Sequence, residues 1–167
     1  EKGDSLLFFG EATVSSRIMD ALPYVKSVRF GIKLPGSVNI IIEEAPVAYA
    51  LQAENGGWWM ITADGKVAEQ TDAQSAQKTT TITGVVLRDP EVGQMARAYE
   101  QPDQTAATGA DRLEAALRLV QLLEANEILG QMSNVDVSNL QQLQLWYKNQ
   151  FQIRLGDLKE IDTKIAT

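Results

Sequence analysis

The chain has 167 residues, which is enough for one ordinary domain or two small ones. Its net charge of -7, from 15 Lys and Arg against 22 Asp and Glu, gives no basic field for phosphates, so nucleic acid is not expected as a partner. Because the chain has no Cys and no His, thiolate and imidazole metal sites and Ser-His or Cys-His catalytic relays are excluded.

The first third of the chain predicts one helix followed by two strands. Apolar residues at helical spacing predict a helix over residues 15–22, which Pro23 ends. A strand is expected over 24–30. After a turn at 34–36, a second strand is expected over Ser37–Glu44, with one wholly apolar face.

The next part of the chain predicts a β-meander. Strand patterns are separated by an Asn-Gly-Gly turn at 55–57 and an Asp-Gly turn at 64–65, both strong hairpin signals. The polar stretch 73–81 is interpreted as a linker or edge loop that leads into a strand over 81–87. The stretch that follows is ambiguous, with one helical pattern over 91–99.

The strongest helix pattern covers residues 111–129. Thr108 followed by Asp111 resembles a capping box at its start, and Gly130 stands where a left-handed residue is expected to end it. Its predicted buried stripe consists of Leu113, Ala116, Leu117, Val120, Leu123 and Ala125.

The remaining residues predict strands and a last helix. A hairpin turn at 148–150 joins the last two strands, Gly156 ends the sheet, and a final helix pattern begins at Leu158. The three strands are expected over 134–138, 143–147 and 151–155. The residues therefore predict an α+β fold.

Catalytic motifs in the sequence have simpler explanations. Ser75 and Lys78 match the S-x-x-K pattern of penicillin-interacting serine enzymes, but the segment is polar and no K-T-G or S-D-N motif accompanies it. Glu43 and Glu44 are adjacent in a strand, so their side chains point to opposite faces and cannot form an acid/base pair. We therefore assign no catalytic residue and no cofactor-binding residue.

Neither metal ligands nor a ligand groove are assigned. Asp157, Glu160 and Asp162 lie at the start of the last helix, where the helix dipole favours negative charge without a metal. Of Trp58 and Trp59, alternation in a strand predicts that one points inward and the other outward. An outward tryptophan would be a candidate interface residue. The residues alone predict an interaction domain.

The order of residues in three stretches, 22–30, 33–49 and 56–70, resembles the FtsQ/DivIB family of bacterial cell-division proteins. Further along, Gly84, the helix over 111–129 and the strand beginning at 134 fit the order of the family's β-domain. The residues that carry the resemblance are Leu22, Pro23, Val25, Pro35, Glu44, Pro46, Asp64, Gly65, Gly156 and Lys164. They are turn and core positions, so they mark the fold and not a site.

The resemblance implies a non-enzymatic scaffold. Such a protein is anchored in the cell membrane by one transmembrane helix, with an extracytoplasmic POTRA module and β-domain at the division septum. It binds FtsL-like and FtsB- or DivIC-like membrane proteins and helps to assemble and regulate septal peptidoglycan synthesis. We expect a partial POTRA-like module over residues 1–51 and a β-domain over 52–167, cut at its C-terminus.

The family's partner-binding residues cannot be assigned to this chain. In the family, a strand precedes the segment that Gly3 to Phe9 resembles, and the strand that receives the partner follows the helix beginning near Asp157, so it would lie beyond Thr167. We expect the contact surface to be a sheet edge in the C-terminal half, near the hairpin 143–155. The alternatives are another POTRA-type module of the cell envelope, or a cell-wall hydrolase with two convergent carboxylates.

Overall fold

Helices and strands are interspersed along the chain, which confirms the expected α+β class. The computed structural model describes residues 10–33, 36–45, 47–100 and 107–166. The described elements are α1 (Glu11–Ala21), β1 (Val25–Lys33), β2 (Ser37–Glu44), β3 (Val47–Ala53), β4 (Trp58–Thr62), β5 (Val67–Thr71), α2 (Ala73–Ala76), β6 (Thr80–Leu87), α3 (Gly109–Ala125), a 3-10 helix (Leu129–Gln131), β7 (Met132–Asp136), β8 (Leu143–Tyr147), β9 (Phe151–Gly156) and α4 (Ile161–Ala166).

The described strands form two sheets. In the small sheet β1 pairs with β2, whereas the large sheet has seven strands in the order β5-β4-β3-β6-β7-β8-β9. β6 is parallel to both β3 and β7, and the other neighbours are antiparallel. The change of sheet comes between β2 and β3, so the expected boundary after Leu51 falls inside β3, a strand of the large sheet.

α3 contributes most of the helical part of the core. It lies in the connection between the parallel strands β6 and β7, which cannot be joined by a tight hairpin. The predicted stripe is confirmed at Leu113, Ala116, Val120 and Leu123, whereas Ala125 is exposed at the end of the helix. These side chains pack in one cluster with residues from the strands, including Tyr49, Leu51, Ile61, Leu87, Val135 and Leu145.

The capping box predicted for α3 is confirmed, although the helix begins at Gly109 and not at residue 111, and its predicted end is wrong. Thr108 Oγ1 accepts a hydrogen bond from the Asp111 backbone N–H at 3.1 Å, and the Asp111 carboxylate accepts one from the Thr108 N–H at 2.8 Å. α3 ends at Ala125, and Glu127 takes the left-handed conformation with φ 59°. Gly130 therefore does not end the helix but lies in the following 3-10 helix.

The helical pattern predicted over residues 91–99 does not form a helix. Its backbone groups bond instead to neighbouring segments of the fold. Val67 N–H donates to Gln94 O at 2.8 Å, Ala96 N–H donates to Gly65 O at 2.8 Å, and Tyr99 N–H donates to the β6 carbonyl of residue 86 at 2.7 Å. Long-range hydrogen bonds thus outweigh the weak local preference for a helix.

Two shorter predictions also need correction. α1 begins at Glu11, before the predicted start at residue 15, because Gly10 O already accepts the Val14 N–H at 3.1 Å. The stretch interpreted as a linker contains α2, which begins where the Asp72 carboxylate accepts the Ser75 N–H at 2.9 Å. The Ser75 hydroxyl also donates to the Asp72 carboxylate, at 3.0 Å. Together these two hydrogen bonds lower the pKa of the Asp72 carboxyl.

The predicted hairpins are confirmed. β3, β4 and β5 form an antiparallel meander, and β8 and β9 are joined by a turn in which Lys148 and Asn149 have φ values of 49° and 56°. Gly156 ends β9 with φ 76°. The last helix, α4, begins at Ile161, a few residues later than its apolar pattern starts.

Candidate protein-interaction surface

β9 is the outermost strand at one end of the large sheet. It pairs with β8 on one side, and in the described part of the chain no strand pairs with its other side. The unpaired side of an outermost strand presents backbone N–H and C=O groups, and a further strand can form hydrogen bonds with them. We call this side of the strand the β9 edge.

The side chains of β9 are also unusually exposed for apolar groups. Phe151 is 62% exposed and Ile153 is 39% exposed. They lie opposite Tyr147 and Leu145, and Leu145 is part of the core. The apolar surface of the core therefore continues outward to β9, where an added element would remove it from water.

The hairpin that contains β9 carries positive charge in an acidic protein. The sequence has no Asp or Glu between Asp136 and Asp157, and the charged residues in that interval are Lys148 and Arg154. A partner that approaches the β9 edge thus meets two cations and no carboxylate within the hairpin itself. This favours a partner segment with acidic residues beside its apolar ones.

The opposite end of the large sheet is partly covered. β5 is the outermost strand there, and its first residue is held by the segment that follows β6. Gly93 N–H donates to Val67 O at 2.8 Å, and Val67 N–H donates to Gln94 O at 2.8 Å. β9 is consequently the more accessible end of the large sheet.

β2 is a second open edge, because among the described residues no strand pairs with the side of β2 that faces away from β1. Ile40, Ile41 and Ile42 are 53%, 55% and 49% exposed. On its paired side β2 contacts β1, with Arg29 opposite Ile41. Neighbouring exposed isoleucines on both faces of one strand make this edge a candidate for association between copies of the chain.

Two of the resemblance residues meet at the end of β9. Lys164 Nζ donates to Asp157 O at 3.0 Å and lies 3.3 Å from Asp157 Oδ1, and a Cβ on Gly156 would lie 3.9 Å from the same Nζ. Burial alone would raise the pKa of the Asp157 carboxyl, but the hydrogen bonds from Lys164 and the Lys159 N–H keep that pKa below its ordinary value. Lys164 thereby ties α4 to the turn that follows β9.

Most of the other resemblance residues lie near the junction of the two sheets. Val25 begins β1 and pairs with Glu44 at the end of β2, while Leu22 is the residue directly after α1 and Pro23 lies in the turn that follows. Leu22 is 49% exposed, so it is not a core residue. Pro35 and Pro46 lie outside the described residues.

Asp64 and Gly65 belong to the turn between β4 and β5. Asp64 accepts a hydrogen bond from Thr62 Oγ1. Gly65 has φ 90°, a conformation that favours glycine, and a Cβ there would lie 2.9 Å from the end of the Leu117 side chain, at Cδ2. The sequence resemblance thus marks a turn that packs directly on α3.

A cavity of about 360 Å³ lies at the same junction. Its lining includes Lys26, Glu44, Asp64 and Glu124. Here the structure brings carboxylates from separate elements near one cavity, which the sequence analysis missed because the residues are distant in the chain. Among the described residues, no three carboxylates form a group suited to hold a metal ion.

The tryptophan expectation was partly wrong. Trp59 packs against the core, as expected for the inward residue. Trp58 is half-buried, so it is not the exposed tryptophan that alternation predicted. The exposed tryptophan is Trp146 on β8, at 38%, across the strand pair from Gln152. Sequence alternation identified neither its exposure nor that of Phe151, because strand order decides which strand is outermost.

No protein-family model matches this chain, and no curated protein matches it. The resemblance to the cell-division family therefore depends on the residue pattern alone. Within the described residues, none of the helices has the length and hydrophobicity needed to span a bilayer.

Proposed function

We propose that this chain is a non-enzymatic scaffold of the bacterial division complex. In this proposal it is the extracytoplasmic part of a single-pass protein of the cell membrane, located at the division septum. It binds FtsL-like and FtsB- or DivIC-like membrane proteins and so helps to assemble and regulate septal peptidoglycan synthesis. The observation that carries the proposal is the β9 edge, an open strand with exposed apolar side chains.

Binding by strand addition follows from the chemistry of this edge. The unpaired backbone groups of β9 give an added strand its hydrogen bonds, and Phe151 and Ile153 give it apolar contacts. In the family that the sequence resembles, the receiving strand follows the helix that begins near Asp157. We propose the same arrangement here, with a strand after α4 adding to β9 and the partner adding beyond it.

The experiment compares binding by two lengths of the chain. The periplasmic segment of an FtsB-like partner is titrated by calorimetry into the 167-residue chain and into a chain extended past Thr167. The extended chain is expected to bind with a 1:1 stoichiometry and the shorter one to bind much more weakly or not at all. Absence of binding by both chains would contradict the scaffold proposal.

A matched pair of variants in the extended chain tests the position of the contact. Phe151→Ser is expected to weaken binding by about tenfold, since it removes apolar area next to the added strand. Val92→Ser is the control, because Val92 is 53% exposed in a loop away from β9. Equal affinities for the two variants would remove the β9 edge from the proposal.

A further inference from the structure

A pocket of about 370 Å³ lies at the end of the large sheet where β6 and β7 begin. One wall is formed by the residues just before β6, and another by the 3-10 helix and the first residues of β7. The turn between β8 and β9 closes a third side with Lys148 and Asn149. Segments far apart in the sequence therefore build one concavity.

The charge of this pocket is opposite to that of the whole protein. Lys78 and Lys148 line it, and none of its described lining residues is Asp or Glu. Neither ammonium group forms an ion pair with a described residue. Four other basic side chains of the described chain do have a carboxylate partner, at 3.0 to 3.7 Å, namely Lys26 with Glu43, Arg88 with Asp89, Arg118 with Asp162 and Lys164 with Asp157.

Two uncharged donors of the pocket are also available. Thr79 and Asn149 line it, and neither the Thr79 hydroxyl nor the Asn149 side-chain amide forms a hydrogen bond with a side chain or backbone group of the described chain. Hydroxyl, amide and ammonium groups are all donors to oxygen. The residues that line the pocket therefore include neutral donors as well as the two lysines.

The walls of the pocket are held in place by hydrogen bonds of the fold. The buried Thr80 hydroxyl bonds to Leu129 O at 3.0 Å and to Met132 O at 2.8 Å. The β8–β9 turn is fixed by Lys148 N–H, which donates to Gln131 O at 2.9 Å. The Lys148 ammonium lies 5.0 Å from the centre of the Tyr147 ring, a cation–π contact that restricts its position.

We propose that this pocket, the lysine pocket, binds an oxyanion, either a phosphate or a carboxylate group. Two ammonium groups without carboxylate partners attract a negative charge, and the neutral donors can bond its oxygen atoms. The inference goes beyond the scaffold function. It shares Lys148 with the hairpin that contains β9, but anion binding to the 167-residue chain is measured without any division partner, so the two proposals can fail separately.

The experiment is a titration of the 167-residue chain followed by amide NMR. Sodium phosphate and sodium acetate are added separately, at constant ionic strength maintained with sodium chloride. We expect saturable shifts at the backbone amides of Thr79, Ser133 and Asn149. Saturation with phosphate alone assigns the phosphate group as the ligand, and saturation with both anions assigns any oxyanion of that size.

Paired charge variants test whether the lysines are responsible. The double variant Lys78→Gln/Lys148→Gln is expected to weaken binding by about tenfold, while Lys33→Gln, which removes an exposed lysine at the end of β1, leaves it unchanged. Unchanged amide shifts outside the pocket report that the variants remain folded. Linear, non-saturating shifts with both anions, or equal binding by the double variant, would overturn the proposal.

Discussion

Lys66 Nζ lies 3.4 Å from the carbonyl oxygen of Met19, near the end of α1. The same ammonium group lies 3.4 Å from Val25 O at the start of β1, so one side chain joins the large sheet to both elements of the preceding segment. Partial burial and a hydrogen bond to Glu69 raise the pKa of the Tyr24 phenol, a second polar contact across this junction. A cation at the end of a helix also interacts favourably with its dipole.

Replacing Lys66 by Met is expected to loosen α1 without unfolding the large sheet. The substitution keeps the length of the side chain but removes its donors to Met19 O and Val25 O. Local opening of α1 should become easier by about 1 kcal/mol, the usual net contribution of such hydrogen bonds. Hydrogen exchange of the α1 amides measures this change, with Lys33→Met as the control. Equal exchange in the two variants would show that Lys66 does not hold the junction.

Replacing Gly84 by Ala is expected to destabilise the large sheet strongly. Gly84 has φ 97°, and a Cβ there would lie 2.3 Å from the backbone nitrogen of Ser138. Strain of this kind costs about 3 kcal/mol or more, because backbone atoms must move. Urea unfolding measures the free energy of unfolding of the variant and of the unchanged chain. Gly130→Ala is the matched control, since a Cβ at Gly130 meets nothing within 4 Å and its effect should be small.

Removing the cap of α3 is expected to change both stability and its pH dependence. Hydrogen bonds from the Thr108 backbone N–H and hydroxyl lower the pKa of Asp111 in the folded chain. A lowered folded pKa adds stability above the unfolded pKa, about 3.9, and that stability is lost as pH falls toward the folded value. Thr108→Ala should cost about 1 kcal/mol at pH 7.

The pH arm of this test compares urea unfolding of Thr108→Ala and the unchanged chain at pH 7 and pH 3. The unchanged chain should lose more stability between these values, because Asp111 loses part of its hydrogen bonding in the variant. Ala107→Ser, one residue outside the cap, is the control. Parallel pH profiles for all three proteins would contradict the role given to Asp111.

Replacing Tyr49 by Phe is expected to stabilise the fold. The Tyr49 hydroxyl is buried, and in the described part of the chain it has no hydrogen-bond partner; burial raises the pKa of this phenol. Removing an unsatisfied buried hydroxyl should gain about 1 kcal/mol. Tyr147→Phe is the control, because that hydroxyl donates to Gln131 and its removal should cost stability. Thermal and urea unfolding measure the change in the free energy of unfolding, which should increase for Tyr49→Phe and decrease for Tyr147→Phe.

Replacing Ile41 by Glu is expected to reduce association between copies of the chain. Ile41 is 55% exposed on the open edge of β2 and lies opposite Arg29, which can accommodate the new carboxylate. Sedimentation velocity at increasing concentration measures the association. Val92→Glu adds the same charge in an exposed loop and should leave association unchanged. If the unchanged chain stays monomeric at high concentration, β2 is not an association surface.

The parts of the fold that the sequence predicted correctly depend on local backbone chemistry. The Asp64–Gly65 turn, the strand Ser37–Glu44 and the Thr108 cap are fixed by residues close together in the chain. The helical pattern over 91–99 failed because its hydrogen-bond partners, such as Gly65, are distant in sequence. Local spacing contains no information about such partners.

The candidate surfaces also depend on contacts between residues that are distant in the sequence. The hairpin that contains Phe151 was expected to carry the contact surface, but its exposure follows from strand order, which alternation does not specify. Lys78 lies before β6 and Lys148 lies in the β8–β9 turn, and only the folded chain places both residues in the lining of one pocket. The sequence marked Lys78 only through its S-x-x-K pattern with Ser75 and Lys148 only as part of a hairpin turn, and neither signal indicates a shared pocket.

The most direct test of the account is hydrogen exchange along β9. The amides of Phe151–Gly156 are compared in the 167-residue chain, in a chain extended past Thr167, and in the extended chain with its FtsB-like partner. The account predicts that the outward amides of β9 exchange rapidly in the short chain and are protected once a strand adds to this edge. Equal exchange of β9 in all three samples, with protection appearing elsewhere, would contradict it.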